Sequence, residues 1–424
     1  MSACLQELAA ARARQQHRGI YSVCSAHPWV LEAVMRRASI GNGPLLIEAT
    51  CNQVNQFGGY TGMTPADFRD RLHEIAVRVG FPRERILLGG DHLGPHPWQE
   101  LAAGQAMSHA AEMVRLYVRE GFHKIHLDTS MPCAGDPIPL PEETIAKRAA
   151  LLCSAAESRS QKNQPVYVIG TEVPTPGGAA EHAAVAVTSR EAAEQAIRLH
   201  RQAFANASLD AAWDRVAALV VQPGVEFSNE SVTDYDPSQA EPLCQVLRDH
   251  PNLVFEAHST DYQRPQALAE LVRDGFAILK VGPALTYAMR QALFALAAIE
   301  EQCMPPGQQS NLPKIIERAM LQQPAHWQKH YRGNPQEQHR LRIHSYSDRI
   351  RYYWTEPAAQ RVVEILIANL ESQRIPETML SDFLPSQYKK VREGTLKNAP
   401  LPLIFDKIAE ALDPYIAACG GAAS

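Results

Sequence analysis

Long apolar runs are absent from this 424-residue sequence: no stretch approaches the about 18 consecutive apolar residues of a membrane-spanning helix. The N-terminal residues MSACLQELAAARARQQHRG have a polar helical pattern without the apolar centre of a signal peptide. Basic charge is not in excess either, because 41 Lys and Arg residues stand against 46 Asp and Glu. The sequence therefore predicts a protein that binds neither membranes nor nucleic acid.

Paired cysteines are also missing. The eight cysteines form no C-x-x-C pair and have no zinc-ribbon spacing. Such scattered cysteines in a large chain indicate reduced, mostly buried thiols and predict a cytoplasmic location. With 45% hydrophobic and 21% charged residues, the chain is long and apolar enough to form a globular core without disulfides.

Eight short apolar runs, each typical of a strand buried on both faces, alternate with helical patterns over the first 282 residues. This alternation predicts a TIM (β/α)8 barrel, with a doubly wound open sheet as the alternative. The first run leads into Cys24 and His27 without the Gly-rich phosphate loop that the open sheet usually carries. The predicted strands are Ile20–Cys24, Leu45–Thr50, Ile86–Asp91, Lys124–Asp128, Val166–Gly170, Ala218–Gln222, Val254–Ala257 and Ala277–Val281.

The last third of the chain lacks strand patterns. After the loop signal MPPGQQS at Met304–Ser310, only helical patterns follow, such as Ala358–Leu370 and Leu403–Leu412. We therefore expect two parts: residues 1–304 form the barrel with an N-terminal helix, and residues 305–424 form a helical appendage packed on it.

Polar residues mark every predicted strand end, which is where TIM barrels carry their active sites. Buried carboxylates and imidazoles are costly unless they are paired or bind a metal, so the set predicts a polar pocket. Its members are Ser25, His27, Glu48, Asn52, Gln53, Asn55, Asp91, His92, His126, Asp128, Glu172, Gln222, Glu256, His258, Asp261 and Lys280.

The histidines and carboxylates of this set predict a divalent metal site, for zinc first and for Mn, Co or Ni otherwise. His92 and His258 are the first ligand candidates, Glu172 is the third, and Asp91 or Gln222 would complete the site. Because the chain turns at a strand end, adjacent Asp91 and His92 can both reach the pocket. In the alternative interpretation Asp91 caps the next helix and His92 packs beneath it. The predicted catalytic carboxylates are Asp91, Asp128 and Glu172.

Lys280 and the segment SDRIRYYW can each be interpreted in more than one way. Lys280, inside an apolar strand, is compatible with Schiff-base chemistry, but we favour an ion pair with Glu48 or Glu256, or a phosphate contact. The run SDRIRYYW, which contains Arg349, either covers a polyol or phosphate or fastens the appendage to the barrel.

Long motifs now point to a family. The segments LIEAT-x-NQVNQFGGYTGMTPADF, LGGDHLGP, KIHLD, VVQPGVEF, EAHSTDYQ and SDRIRYYW resemble the Z subunit of D-tagatose-1,6-bisphosphate aldolase, the GatZ/KbaZ family. The resemblance runs from about residue 15 to 415 and implies a TIM barrel related to class II aldolases. It also implies that this chain is itself a supporting subunit, which assists a separate catalytic subunit in galactitol or N-acetylgalactosamine catabolism. Close relatives act alone as metal-dependent C4 epimerases of ketohexoses.

Compared with catalytic class II aldolases, Asp91-His92 is similar to their base and zinc ligand, and Glu172 to their strand-five acid. His258 matches a zinc histidine, but Ser259-Thr260-Asp261 replaces the Gly-rich phosphate loop, and Gln222 stands where another zinc histidine is expected. The resemblance thus implies a partly retained metal site and a degraded phosphate site.

The sequence is compatible with two functions. One is the accessory Z subunit, bound to a class II catalytic subunit. The other is a ketohexose 4-epimerase that binds its ketohexose, or a bisphosphate, through residues of the polar pocket. A homo-oligomer is compatible with both, and a kinase is not supported, because the sequence has no Walker loop. The predicted substrate-binding residues are Glu48, Asn52, Gln53, Asn55, Asp261, Lys280 and Arg349, together with Gln222 in the epimerase hypothesis.

Overall fold

Eight parallel strands close into a barrel in a computed structural model, which describes residues 2–158, 164–170 and 185–420. Each strand pairs with its neighbours in chain order, and the last strand pairs with the first, as the TIM-barrel prediction requires. The strands are β1 Ile20–Val23, β2 Leu45–Thr50, β3 Ile86–Leu93, β4 Lys124–Leu127, β5 Val166–Ile169, β6 Val216–Val220, β7 Val254–Ala257 and β8 Ile278–Val281. A hairpin of Glu226–Phe227 and Val232–Thr233 follows β6.

Helices surround the barrel and make up the C-terminal part of the chain. Those up to residue 303 are α1 Ser2–Ala13, α2 Pro28–Ala38, α3 Pro65–Val79, α4 Ala103–Arg119, α5 Glu142–Glu157, α6 Arg190–Asn206, α7 Asp210–Trp213, α8 Pro237–Cys244, α9 Val246–Asp249, α10 Pro265–Arg273 and α11 Pro283–Cys303. The later ones are α12 Leu312–Gln322, α13 Pro335–His344, α14 Pro357–Ser372, α15 Glu377–Phe383, α16 Pro385–Arg392 and α17 Pro400–Ala418. No helix in the described ranges is long and apolar enough to cross a membrane.

Local sequence signals explain where these helices begin and end. Helix α3 begins with a capping box, in which the Thr64 side chain accepts from Asp67 N–H and the Asp67 carboxylate accepts from Thr64 N–H. It ends at Gly80, whose φ of 70° is the left-handed conformation that glycine adopts without strain. The eight cysteines all lie in the described residues, and none forms a disulfide.

Helix α1 closes the N-terminal end of the barrel. Its buried residues Leu5, Leu8 and Ala9 join an apolar cluster with inward-facing strand residues such as Leu46 and Leu87. This end is therefore filled by side chains, and polar groups are left to the opposite end.

The C-terminal helices pack on the barrel rather than apart from it. Helix α17 packs against α2, α10 and α11, and Tyr415 Oη donates to Thr260 O at 2.6 Å just beyond β7. A 3-10 segment, Arg349–Tyr353, lies near the C-terminal end of the strands. The helical appendage is confirmed, whereas a domain division at residue 304 stays a prediction.

Candidate metal centre

The interior side chains of the barrel change from apolar to polar towards the C-terminal ends of the strands. Successive inward positions on one strand, such as Lys124 and His126, lie two residues apart because a strand alternates its faces. A middle layer contains Glu48, Lys124, Glu256 and Lys280, and an upper layer contains Asp91, His92, His126 and His258, all less than a tenth exposed.

Two lysines compensate the carboxylates of the middle layer. Lys124 Nζ lies 2.8 Å from Glu48 Oε1 and 2.8 Å from Glu256 Oε2. Lys280 Nζ lies 2.9 Å from Glu48 Oε2, 2.8 Å from Asp91 Oδ1 and 3.1 Å from Glu256 Oε1, although none of these contacts is aligned as a hydrogen bond. Burial works to lower the pKa of Lys280, but Asp91 and the other neighbouring acidic groups outweigh it and raise the pKa well above its ordinary value. The ammonium therefore stays charged, unlike a Schiff-base lysine.

The upper layer brings one donor atom each from Asp91, His92, His126 and His258 within 4.8 Å of one another. The His92 ring centroid lies 4.8 Å from that of His258 and 5.1 Å from that of His126. Three imidazoles and a carboxylate are the ligand types that zinc and similar transition metals prefer.

Carboxylates behind the imidazoles fix their orientation. His92 Nδ1 lies 2.8 Å from Asp128 Oδ2, and His258 Nε2 lies 2.9 Å from Glu256 Oε1. Because an ionised carboxylate only accepts, each of these nitrogens carries a proton, and in the neutral imidazole the other ring nitrogen is the one that can bind a metal. Burial opposes protonation of His92, but Asp91 and Asp128 outweigh it and raise its pKa, so a metal would have to displace a proton there. Burial lowers the pKa of His258 to about 3, so its imidazole is neutral. This carboxylate–histidine arrangement is typical of metal ligands.

An irregular backbone lets two adjacent residues serve one site. The pairing of β3 with β4 shifts register between Gly90 and Leu93, and His92 has a φ of 48°, which is uncommon for a residue other than glycine. Strand β3 runs to Leu93 instead of ending at Asp91, so the register shift, not the end of the strand, brings Asp91 and His92 to the same cluster. Asp91 contacts Lys280 and His126 and does not cap a helix.

The charges fit a divalent cation. Four buried carboxylates face two buried ammonium groups, which leaves two negative charges when all six are ionised; the carboxylates are Glu48, Asp91, Asp128 and Glu256. Asp91 Oδ1 also lies 3.1 Å from His126 Nδ1, a contact that needs a proton or a cation near it. Burial opposes ionisation of Asp91, but His92 and Lys280 outweigh it and hold its pKa well below the usual range.

Above this cluster lies a cavity of about 450 Å³. The predicted pocket residues that line it are Ser25, His27, Asn52, Gln53, Asp91, His92, His258, Asp261 and Lys280. Arg351 and Tyr352 of the 3-10 segment and Tyr60 of the β2–α3 loop also line it, so the C-terminal part of the chain completes the pocket.

The structure leaves several predicted residues outside the cavity. Asn55 bonds through its side chain to Cys51 O, Phe57 N and Gly59 N, and so shapes the loop. Gln222 Oε1 accepts from Gly224 N at 2.8 Å and Val225 N at 3.0 Å, and Gln222 is not part of the histidine cluster.

Three other predicted residues are also not among those that line the cavity. Arg349 donates to His326 O at 2.7 Å and does not line the cavity. Glu48 lies beneath the cavity, and Asp128 lies behind His92, where its Oδ1 also accepts from Ser130 Oγ at 2.6 Å. Glu172 lies outside the described residues. The sequence pattern had not assigned His126 as a ligand, although its position two residues after Lys124 placed both on one face of β4.

Comparisons with known proteins agree with this architecture. A family model for the D-tagatose-1,6-bisphosphate aldolase subunit GatZ/KbaZ-like proteins matches residues 5–420. The crystal structure of a probable tagatose 6 phosphate kinase from Sinorhizobium meliloti 1021 is 51% identical, with a TM-score of 0.89 over 95% of this chain and 100% of that one.

Two aldolase structures match far more weakly. Fructose-bisphosphate aldolase from Campylobacter jejuni is 14% identical, with a TM-score of 0.44 over 90% of this chain and 94% of that one. The YdjI aldolase from Escherichia coli K12 is 12% identical, with a TM-score of 0.43 over 87% and 98%.

Proposed function

Because the chain belongs to the GatZ/KbaZ-like family of D-tagatose-1,6-bisphosphate aldolase subunits, we propose that its barrel mouth is a working active site in an aldolase-related role. The proposed activity is that of a divalent-metal-dependent ketohexose 4-epimerase, which interconverts D-fructose and D-tagatose by retro-aldol cleavage and re-addition. The observation that supports it is the convergence of Asp91, His92, His126 and His258 at the base of a cavity that Asp91, His92 and His258 line, with acidic side chains holding two of the imidazoles.

A divalent cation held by the three histidines would supply Lewis-acid polarisation of a substrate oxygen. Asp91 accepts the proton of the C4 hydroxyl, the C3–C4 bond breaks, and its electron pair passes to the three-carbon ketose fragment as an enediolate. The aldehyde fragment turns, the enediolate carbon adds to its other face, and Asp91 returns the proton to the new C4 oxygen. Lys280 keeps Asp91 ionised for this task, and Asn52 and Gln53 hold substrate hydroxyls. Glu172 stays the alternative base.

The second candidate is the accessory role of a Z subunit, which supports the activity and stability of a class II catalytic subunit in galactitol or N-acetylgalactosamine catabolism. The family match over nearly the whole chain favours it. A homo-oligomer and a cytoplasmic location stay predictions from the sequence. A kinase activity, as in the name of the Sinorhizobium protein, has no support here because the sequence lacks a Walker loop.

The test uses the purified chain, stripped of metal and reloaded with Zn, Mn, Co or Ni, and follows D-fructose and D-tagatose by chromatography. We expect metal-dependent interconversion that is lost in His92→Ala and His258→Ala. His250→Ala is the matched control, because His250 forms a similar pair with Glu194 away from the cavity. Absence of turnover with every metal would reject the epimerase and leave the accessory role, to be tested by reconstitution with a catalytic subunit.

A further inference from the structure

Asp261 occupies the N-terminus of helix α11 inside the cavity. Its Oδ1 accepts hydrogen bonds from Gly282 N at 3.0 Å and Ala284 N at 2.8 Å. These amides precede and open a helix of 21 residues, a position where backbone N–H groups and the helix dipole favour an anion. The anion that they bind is therefore a side chain of the protein itself.

The surrounding backbone holds this carboxylate in place. Ser259 and Tyr262, on either side, have φ values of 52° and 65°. Thr260 between them donates from Oγ1 to Lys280 O and accepts from Tyr415 at its carbonyl. The residue as a whole is only 3% exposed, yet it lines the cavity together with His92 and His258. The carboxyl group of Asp261 is thus held in a fixed position in the cavity lining, where it faces any ligand bound at the candidate metal centre.

We propose that Asp261 is a specificity-determining residue, which accepts a hydrogen bond from a substrate hydroxyl and excludes a phosphate group from this end of the cavity. A dianion placed here would meet a like charge and find the two helix amides already used. The inference rests on the proposed function only in naming a ketose as the molecule that supplies the hydroxyl. Asp261 would select a ketose whose end at this part of the cavity carries no phosphate.

Two arginines line the cavity, Arg71 and Arg351. Arg71 is about half exposed, and its Nε lies 3.8 Å from Glu74 Oε2. Arg351, the guanidinium nearest in sequence to the pocket aromatics, donates through Nη1 to Ser347 O and Asp348 O and through Nη2 to Tyr352 Oη at 2.9 Å. These contacts direct its terminal nitrogens to its own segment.

Binding of two probes, inorganic phosphate and D-tagatose 6-phosphate, would be measured by calorimetry on the metal-loaded full chain, with D-tagatose in parallel. We expect wild type to bind D-tagatose more tightly than either phosphate. Asp261→Ala should gain phosphate affinity by roughly 10- to 100-fold, because the amides become free and the repulsion is removed. Asp261→Asn, which keeps the amides occupied and loses only the charge, should gain less. Asp236→Ala, which uncovers the N-terminus of α8 outside the cavity, should gain none.

Tighter binding of the phosphates than of D-tagatose by wild type, or no gain in Asp261→Ala and Asp261→Asn, would overturn the inference. If Asp261→Ala does not fold, Asp261→Asn carries the comparison, since it preserves the shape and the acceptor atom. A gain of phosphate affinity without any binding of D-tagatose to wild type would keep the exclusion of phosphate by Asp261, overturn its hydroxyl contact and count against the proposed ketose substrate.

Discussion

The Nδ1 of His92 lies 2.8 Å from Asp128 Oδ2; His92 belongs to β3, and Asp128 directly follows the neighbouring strand β4 at the C-terminal end of the barrel. Burial opposes ionisation of Asp128, but the hydrogen bond from His92 outweighs it and lowers the pKa of the carboxyl group. The carboxylate in turn holds the proton on Nδ1, so Nε2 is directed to the cluster. Asp128, predicted as catalytic, is by position an orienting residue.

The first prediction concerns this pair. Asp128→Asn removes the charge that fixes the His92 tautomer, so metal affinity should fall by about 10- to 100-fold. Zinc affinity would be measured by competition with a chelator. Asp136→Asn is the control, because Asp136 pairs with Arg148 outside the cavity and its loss should leave zinc affinity unchanged. Equal zinc affinity in wild type and Asp128→Asn would contradict the orienting role.

Lys280 gives the second prediction. Lys280→Met leaves Glu48, Asp91 and Glu256 without one of their two counter-charges, and should lower the free energy of unfolding by about 3–5 kcal/mol. Urea unfolding measures the loss, and exposed Lys147→Met should change little. Borohydride treatment with substrate should give no adduct in the mass spectrum; an adduct at Lys280 would instead establish Schiff-base chemistry.

Gly94 gives the third. A Cβ there would lie 1.6 Å from Asp128 O, which is backbone and cannot move aside cheaply. Gly94→Ala should therefore destabilise the protein by about 1–3 kcal/mol or more and weaken zinc binding, because Asp128 is displaced. Gly104→Ala, in helix α4 with no neighbour within 4 Å, should be neutral or stabilising by up to about 1 kcal/mol. Similar unfolding curves for the two variants would refute this packing argument.

The fourth prediction is a pH dependence. Burial raises the pKa of Asp261 to about 6 in the folded chain, against about 3.9 when unfolded. Between these values the folded state binds more protons, so this residue makes the free energy of unfolding fall as pH rises. Asp261→Asn lacks this titration, and its stability relative to wild type should increase from pH 4 to pH 6 by about 2 kcal/mol.

Urea unfolding at pH 4, 5, 6 and 7 measures this difference. Hydrogen bonds from Ser238 lower the pKa of exposed Asp236, so Asp236→Asn should show a trend of opposite sign. A constant difference between Asp261→Asn and wild type over this pH range would show that the Asp261 carboxyl is not destabilised in the fold.

The barrel was predictable from the sequence because each strand is a short apolar run followed by a helical pattern. Strands β2 and β7 have the predicted bounds, and the others differ at one or both ends by one or two residues. Strand β6 ends at Val220, two residues early, so Gln222 falls in a loop and caps the amides of Gly224 and Val225. Strand hydrophobicity does not encode such side-chain-to-backbone bonds.

The cluster of Asp91 and the three histidines was predictable in part, because strand periodicity indicates which side chains face the barrel interior. Alternation along a strand places Glu256 with His258 and Lys124 with His126 on the inner face, but it does not tell which imidazoles meet. Arg349 was predicted in the pocket and Arg351 lines it instead, because a 3-10 segment turns them to different sides. That choice depends on packing between distant parts of the chain.

The most direct test of the metal centre is anomalous diffraction at the zinc absorption edge from crystals of the zinc-loaded chain. We predict one strong peak inside the barrel mouth, about 2.0–2.2 Å from His92 Nε2 and from His258 Nδ1, with His126 or Asp91 completing the shell. A zinc-loaded crystal with no peak among these side chains, or with its only peak elsewhere on the chain, would contradict the account.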